Sequence, residues 1–83
     1  MMTVYVRLFA ILRERAGVEA VQLQLPEAAT VQAASRMLGE KYPSLRDFLP
    51  RVAFAVNQEY VAADALLRDG DELAVIPPVS GGC

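Results

Sequence analysis

Eighty-three residues, 54% of them hydrophobic and with a net charge of −2, are enough for one small core and too few for two. With no histidine and a single cysteine, the chain cannot assemble a Ser-His-Asp or Cys-His nucleophile, a histidine-ligated metal site or an internal disulfide. The charges are scattered and no apolar stretch is long enough to span a membrane, so we expect a cytoplasmic protein that binds neither nucleic acid nor membrane.

The chain begins with a predicted strand. Residues Thr3–Phe9 alternate with the period of two that is typical of a strand with one buried face. The aliphatic positions Val4, Val6 and Leu8 form the inward face, which leaves Phe9 on the outer face. A solvent-facing phenylalanine either contacts a partner or covers the end of the core, and the alternation does not decide between the two.

A short helix and a second strand follow. Residues Ala10–Ala16 are good helix formers, and Gly17 stands where helices commonly end with a glycine. Residues Val21–Leu25 alternate strictly and predict a strand that Pro26 ends. The connection between the two elements is short, which favours pairing of this strand with the first one after the chain has turned back.

The longest predicted helix covers Val31–Lys41. Thr30, just before it, is of a residue type that caps helix N-termini. Gly39 weakens the last turn by about 1 kcal/mol relative to alanine. The helix carries one apolar stripe, which predicts that it lies across a sheet. The residues of this stripe are Val31, Ala34 and Leu38.

The remaining chain predicts a connector and three strands. The connector contains one predicted helical turn, Leu45–Leu49, whose apolar side chains should seal the edge of the core. Residues Val52–Val56 predict a strand in which Ala53 and Ala55 form a small, flat face. Turns at Asn57–Glu59 and Arg68–Asp71 precede the last two strands, Tyr60–Ala62 and Glu72–Ile76. The last strand should point Leu73 and Val75 inward and Ala74 and Ile76 outward.

This order of elements predicts an α+β fold in two layers, with one long helix crossing a mixed sheet of four or five strands. A right-handed crossover through that helix places the first and last strands in the centre of the sheet, parallel to each other. We therefore expect one domain over residues 1–76 and a flexible tail over residues 77–83. The tail should leave from the middle of the sheet, at its edge.

The tail has a composition that cannot pack into a core. Pro77 and Pro78 fix the backbone and keep this segment extended. Gly81 and Gly82 present bare backbone, which can enter a narrow channel and bring a carboxylate against a nucleotide phosphate. A glycine pair near a terminus is weak evidence alone, so its interpretation depends on the sequence around it.

Three stretches carry a resemblance to a known family. They are VRLFAILRERAG (Val6–Gly17), AVNQEYV (Ala55–Val61) and LRDGDELAVIPPVSGG (Leu67–Gly82), and the last is the most specific. Together they bracket nearly the whole chain. The chain resembles the small subunits of molybdopterin synthase, which are sulfur carriers with the ubiquitin-like β-grasp fold.

The resemblance implies a role for the C-terminal glycine. In this family an activating enzyme uses ATP to adenylate the glycine carboxylate, and sulfur transfer converts it to a thiocarboxylate. Carried over to this chain, the reactive position is Gly82, while Gly81 and Ser80 thread into a partner's active site. The implied docking residues are Phe9, Ile76, Pro77, Pro78 and Val79.

The resemblance also implies two protein partners. One is the large subunit of the synthase, which delivers the sulfur to cyclic pyranopterin monophosphate to form molybdopterin. The other is an adenylyltransferase similar to ubiquitin-activating enzymes. The resemblance implies that the small subunit binds no cofactor or metal and does not catalyse the reaction by itself. The ATP is used by the activating enzyme.

Cys83 departs from the family pattern, because family members normally end at the second glycine and Cys83 holds the Gly82 carboxylate in a peptide bond. Three interpretations remain: a processing peptidase removes Cys83 before activation, Cys83 is a cloning remainder, or the chain belongs to relatives whose terminal thiol matters. We favour processing.

Other functions share the same tail. A sulfur carrier for thiamine synthesis, tRNA thiolation or cysteine synthesis, or a ubiquitin-like protein modifier, would carry the same glycine pair. The Pro77–Pro78 pair and the Asn57–Gln58 turn favour the molybdopterin pathway. An interaction module with an incidental tail is an alternative of a different class.

Overall fold

Five strands and two helices follow one another along residues 1–78, the part of the chain that the computed structural model describes. The strands are β1 (Met2–Leu8), β2 (Ala20–Leu25), β3 (Ala53–Val56), β4 (Glu59–Val61) and β5 (Glu72–Ile76). The helices are α1 (Ala10–Ala16) and α2 (Val31–Lys41), and two short 3-10 turns lie at Pro43–Leu45 and Leu49–Arg51. Neither helix of this part of the chain is long and apolar enough to cross a membrane.

The strands form one mixed sheet in the order β2-β1-β5-β3-β4. β1 and β5 are central and parallel, and every other neighbouring pair is antiparallel. This confirms the predicted mixed sheet with parallel first and last strands at its centre, and it fixes the number of strands at five. With α2 on one side of the sheet, the arrangement is the β-grasp fold that the resemblance implies.

The core lies between the inner face of the sheet and the helices. The inward positions of β1, β2 and β5 are buried as predicted, and so is the apolar stripe of α2. Each buried aliphatic side chain of this size contributes about 1.5–3 kcal/mol by leaving water. The largest fully buried side chains are Met2, Leu12, Leu25, Leu38, Leu45, Leu73, Val4, Val6, Val31 and Val75.

Local capping signals define the helix ends. Gly17 has φ +79° and its N–H donates to the Arg13 carbonyl, so it ends α1 in the left-handed conformation that glycine adopts without strain. The Thr30 hydroxyl accepts a hydrogen bond from the Ala33 N–H at 3.2 Å, which caps α2. Both predicted helix boundaries are confirmed.

The connector after α2 differs from its prediction. The prediction of one helical turn over Leu45–Leu49 is wrong. The connector instead contains hydrogen bonds in which each N–H donates to the carbonyl three residues earlier. These bonds run from Leu45 to Tyr42, from Phe48 to Leu45 and from Arg51 to Phe48. Pro50 has no N–H to donate to the carbonyl of Arg46, so the chain keeps the tighter spacing. The predicted packing holds, because Leu45 is buried and its apolar neighbours Phe48 and Leu49 pack partly buried against the core.

Smaller differences concern strand ends. β1 and β2 each begin one residue earlier than predicted, and β1 ends before Phe9. Val52 lies outside β3, while Glu59 belongs to β4, which leaves Asn57 and Gln58 as a two-residue hairpin turn. Both turn residues have positive φ, +50° and +73°, as a type I′ turn requires.

Candidate functional site

The described chain leaves the sheet from its centre. Pro77 and Pro78 follow β5, which lies between β1 and β3, and Pro77 is half-buried while Pro78 is exposed. Because β1 and β5 are parallel, with Leu8 opposite Val75, their carboxyl ends lie side by side. Phe9 and Ile76 are therefore neighbours at the point where the chain departs.

A shallow apolar depression lies beside this point, on the face of the sheet that α2 leaves open. We call it the outer hollow, and its volume is about 340 Å³. Ala55 of β3 pairs with Ala74 of β5, and these small side chains form its floor. Ala55 is only 6% exposed although it faces outward, because larger residues surround it. The lining residues are Phe9, Ala55, Gln58, Tyr60, Ala74 and Ile76.

Phe9 forms one wall of the outer hollow. Its backbone is extended, its side chain is 39% exposed, and it precedes α1 without capping it. The Arg7 guanidinium carbon lies 5.9 Å from the centre of the ring, and Arg7 Nη1 lies 3.5 Å from Glu72 Oε2. A cation over an exposed ring contributes about 0.5–1 kcal/mol. Arg7 thus helps to hold Phe9 in an exposed orientation.

Tyr60 forms the opposite wall and was not predicted as a site residue. It pairs with Ala55 across the β3–β4 hairpin and is 76% exposed. The signal was present in the sequence, since a two-residue turn at Asn57–Gln58 sets this pairing, but the predicted three-residue turn shifted the register by one residue. Exposed large apolar side chains around a small-residue floor are typical of a surface that docks a partner.

The structure brings together four of the predicted site residues: Phe9, Ile76, Pro77 and Pro78. The other predicted positions, Val79, Ser80, Gly81, Gly82 and Cys83, lie outside the described residues. Within residues 1–78, no cluster of three or more cysteine, aspartate or glutamate side chains is placed to hold a metal ion. The geometry thus offers an apolar docking surface next to a departing chain end.

Comparison with known proteins gives a family. The model of the ThiS family matches residues 6–82 of the chain. The molybdopterin synthase sulfur carrier subunit of Arabidopsis thaliana is 43% identical over 77 residues, which cover 93% of this chain and 80% of that protein.

Solved structures share the fold. H. volcanii small archaeal modifier protein 1 superposes with a TM-score of 0.88 at 31% identity, covering 95% of this chain and 100% of that chain. A chain from the complex of subunits 1 and 2 of molybdopterin-converting factor from Helicobacter pylori 26695 gives a TM-score of 0.67 at 27% identity, covering 98% of this chain and 100% of that chain. The ubiquitin-like β-grasp fold is thereby confirmed.

Proposed function

The chain belongs to the ThiS family and is a sulfur carrier subunit of the molybdopterin synthase type, and from this premise we propose that the Gly82 carboxylate carries the sulfur. The identity to carrier subunits over most of the chain is the observation that carries this proposal. The departure of the chain from the centre of the sheet, beside the outer hollow, agrees with it.

The first step is activation of Gly82. Its carboxylate oxygen attacks the α-phosphorus of ATP in the active site of an adenylyltransferase, which forms an acyl-adenylate and releases pyrophosphate. Hydrosulfide delivered by a sulfur donor then attacks the carbonyl carbon, the carbon–oxygen bond to the phosphate breaks and AMP leaves, because adenylate is a good leaving group, while the proton of the hydrosulfide is lost to solvent. The product is a thiocarboxylate, whose sulfur is ionised and nucleophilic at neutral pH. Gly81 has no side chain, so the backbone at this position can enter a narrow channel.

The second step takes place in the large subunit of the synthase. The tail, with Ser80, Gly81 and Gly82 at its end, enters that subunit's active site while the outer hollow docks on its surface. The thiocarboxylate sulfur attacks a carbon of cyclic pyranopterin monophosphate and an oxygen substituent leaves that carbon. Water then attacks the acyl carbon and breaks its bond to sulfur, which leaves the sulfur on the pterin and returns the Gly82 carboxylate. Two such transfers supply the two sulfurs of the dithiolene of molybdopterin. The solved complex of two converting-factor subunits supports a partner of this kind.

Cys83 must leave before Gly82 can be activated, because a carboxylate in a peptide bond cannot attack ATP. The family model matches the chain as far as Gly82, which agrees with a reactive glycine at that position. We propose that a peptidase removes Cys83. The intact mass of the protein isolated from its native cells tests this: loss of one cysteine is expected, and a thiocarboxylated protein that still contains Cys83 would overturn it.

Reconstitution tests the sulfur carrier function. The protein ending at Gly82 is incubated with the adenylyltransferase, ATP and a sulfur donor, and its mass should rise by the exchange of one oxygen for sulfur. Addition of the large subunit and cyclic pyranopterin monophosphate should then yield molybdopterin and restore the original mass. A matched protein with Gly82→Pro, which cannot present the same carboxylate geometry, serves as the control. Failure of the mass change with the Gly82-ending protein would contradict the proposal.

A protein modifier is the second candidate. Similarity to an archaeal modifier protein favours this alternative, since a modifier uses the same acyl-adenylate but transfers Gly82 to a lysine amine. The same reaction mixture, supplied with a cell extract, distinguishes the two. Molybdopterin without conjugates supports the carrier, whereas conjugates on other proteins without molybdopterin support the modifier.

A further inference from the structure

A second and larger concavity lies on the other face of the sheet, between α2 and the β3–β4 hairpin. We call it the helix-side groove, and its volume is about 780 Å³. Phe54 and Val61, which line it, alternate along their strands with Ala55 and Tyr60, whose side chains face the outer hollow. Tyr60, on the edge strand, borders both concavities and is the one residue of the described chain that they share. The groove is therefore a second surface that adjoins the outer hollow at Tyr60 and lies on the other face of the sheet.

The groove exists because α2 does not cover the whole inner face. The helix packs mainly against β2 and the first 3-10 turn, which leaves the inner side of β3 and β4 without a comparable cover. The apolar side chains there touch the core on one side and stay partly exposed on the other. They are Leu49, Val52, Phe54 and Val61.

Two arginines stand at the rim of this apolar floor. The Arg46 Nε donates a hydrogen bond to the Gly39 carbonyl at 3.1 Å, which holds its guanidinium beside the groove. The two ion pairs of residues 1–78 involve other basic groups, so neither Arg46 nor Arg36 has a carboxylate within 4.0 Å in this part of the chain. Glu40 is the one acidic lining residue among those described.

This rim favours an anionic ligand. The local excess of one positive charge contrasts with the net charge of −2 of the whole protein. Because Arg46 is already held by its Nε, its terminal nitrogens can bind a carboxylate with little further loss of side-chain entropy. An apolar floor with arginines at its rim fits an apolar side chain with acidic neighbours.

The edge of the sheet beside the groove can bind a peptide backbone. β4 pairs only with β3, and the two-residue turn makes Val56 and Glu59 the first hydrogen-bonded pair of the hairpin. Tyr60, one residue further, then directs its N–H and C=O away from β3, towards the open edge. No loop or helix of residues 1–78 donates to or accepts from these two groups. Extended peptides commonly add to such an edge.

We propose that the helix-side groove binds an extended segment of a partner protein in which an apolar side chain lies between two acidic ones. The backbone of the segment pairs with Tyr60, its apolar side chain enters the groove, and its carboxylates bind Arg36 and Arg46. Alternate side chains of an extended peptide point to the same side, so the three contacts need the pattern acidic-x-apolar-x-acidic.

A synthetic peptide tests this pattern. The probe is the capped heptapeptide Thr-Asp-Thr-Leu-Thr-Asp-Thr, titrated into the isotope-labelled full chain while amide resonances are followed by NMR. Saturable shifts are expected at Gly39, Phe54 and Tyr60, with little change at Phe9 and Ala74. Peptides with lysine in place of both aspartates, or serine in place of leucine, should bind much more weakly.

Charge reversal on the protein provides the second test. Arg36→Glu should weaken binding of the probe about fivefold or more, since it replaces an attractive ion pair by a repulsive one. Arg13→Glu on α1 changes the net charge equally, lies outside the groove, and should leave the affinity unchanged. Thermal unfolding of both variants checks that they are folded.

Four outcomes would overturn the proposal: no saturable binding, equal binding of the lysine peptide, an equal effect of the two variants, or shifts centred on Phe9. Shifts at the groove that depend on protein concentration without peptide would assign the surface to a second copy of the chain instead. The sulfur-transfer assay is a separate readout, since neither arginine lines the outer hollow.

Discussion

Phe9 is an exposed aromatic side chain beside the point where the described chain leaves the sheet. Substitution by alanine (F9A) should weaken the affinity for the large subunit of molybdopterin synthase about tenfold or more, because partly exposed aromatic anchors contribute strongly to interfaces. The free energy of unfolding should fall by less than about 1.5 kcal/mol, since the ring is only partly buried. Calorimetric titration and urea unfolding measure the two quantities.

Leu66 offers a matched control for this substitution. It is 66% exposed, pairs with Thr30 beside the start of α2, and does not line the outer hollow. Leu66→Ala should leave the affinity unchanged. Equal effects of the two substitutions would show that the outer hollow is not the docking surface.

Asn57 links the β3–β4 turn to the loop that precedes β5. Both lie at the end of the sheet opposite the point where the chain leaves it. The Asn57 Nδ2 donates to Asp71 Oδ1 at 3.0 Å, its Oδ1 accepts from the Glu72 N–H at 3.0 Å, and its φ is +50°. Asn57→Ala removes both bonds and places alanine in the left-handed region, so we expect a loss of about 2 kcal/mol in the free energy of unfolding. Urea unfolding measures this loss.

Asn57→Gly separates the two causes. Glycine loses the same side-chain bonds but adopts positive φ without strain, so this variant should be about 1 kcal/mol more stable than Asn57→Ala. If the glycine variant were the less stable one, backbone strain would not be the reason for asparagine at this position.

At the scale of the elements, α2 lies so close to the connector that little space is left for a side chain at Gly39. A Cβ added at Gly39 would lie 3.1 Å from Leu49 Cδ1 and 3.5 Å from Arg46 Cγ. Gly39→Ala should therefore not yield the gain of about 1 kcal/mol that helix propensity alone predicts. We expect no change or a loss in the free energy of unfolding, measured by urea.

A larger side chain at the same position extends this test. Gly39→Val should cost about 1–3 kcal/mol, because it crowds Leu49 further and is a weaker helix former. A full gain of helix stability with Gly39→Ala would instead show that Leu49 moves aside without cost.

For the whole molecule, the residues that build the core all precede the proposed reactive end in the sequence. Every buried hydrophobic residue of the described chain lies between Met2 and Val75. Deletion of Gly81–Cys83 should therefore leave the melting temperature unchanged within about 1 °C while abolishing sulfur transfer. Calorimetry and the reconstituted synthase assay measure these effects. Retained activity after the deletion would support an interaction module with an incidental tail.

Much of the fold could be predicted because its signals are local. Each of these signals depends only on residues that are close in the sequence, and each is confirmed. They are the alternation of β1 and β5, the apolar stripe of α2, the N-cap at Thr30 and the helix end at Gly17. The handedness of crossovers added the parallel pairing of β1 with β5. The division into a domain and a tail, and the role of the tail, stay predictions.

By itself, the sequence determined the element types, the faces of the strands and the family resemblance of Leu67–Gly82. Only the tertiary structure decided that Tyr60 joins Phe9 around the outer hollow, and that α2 leaves a groove beside β4. The reason is that periodicity reports the environment of each residue along one element. Which residues meet across elements depends instead on strand register and on where the helix crosses the sheet, and a shift of one residue in the β3–β4 turn changes the partners.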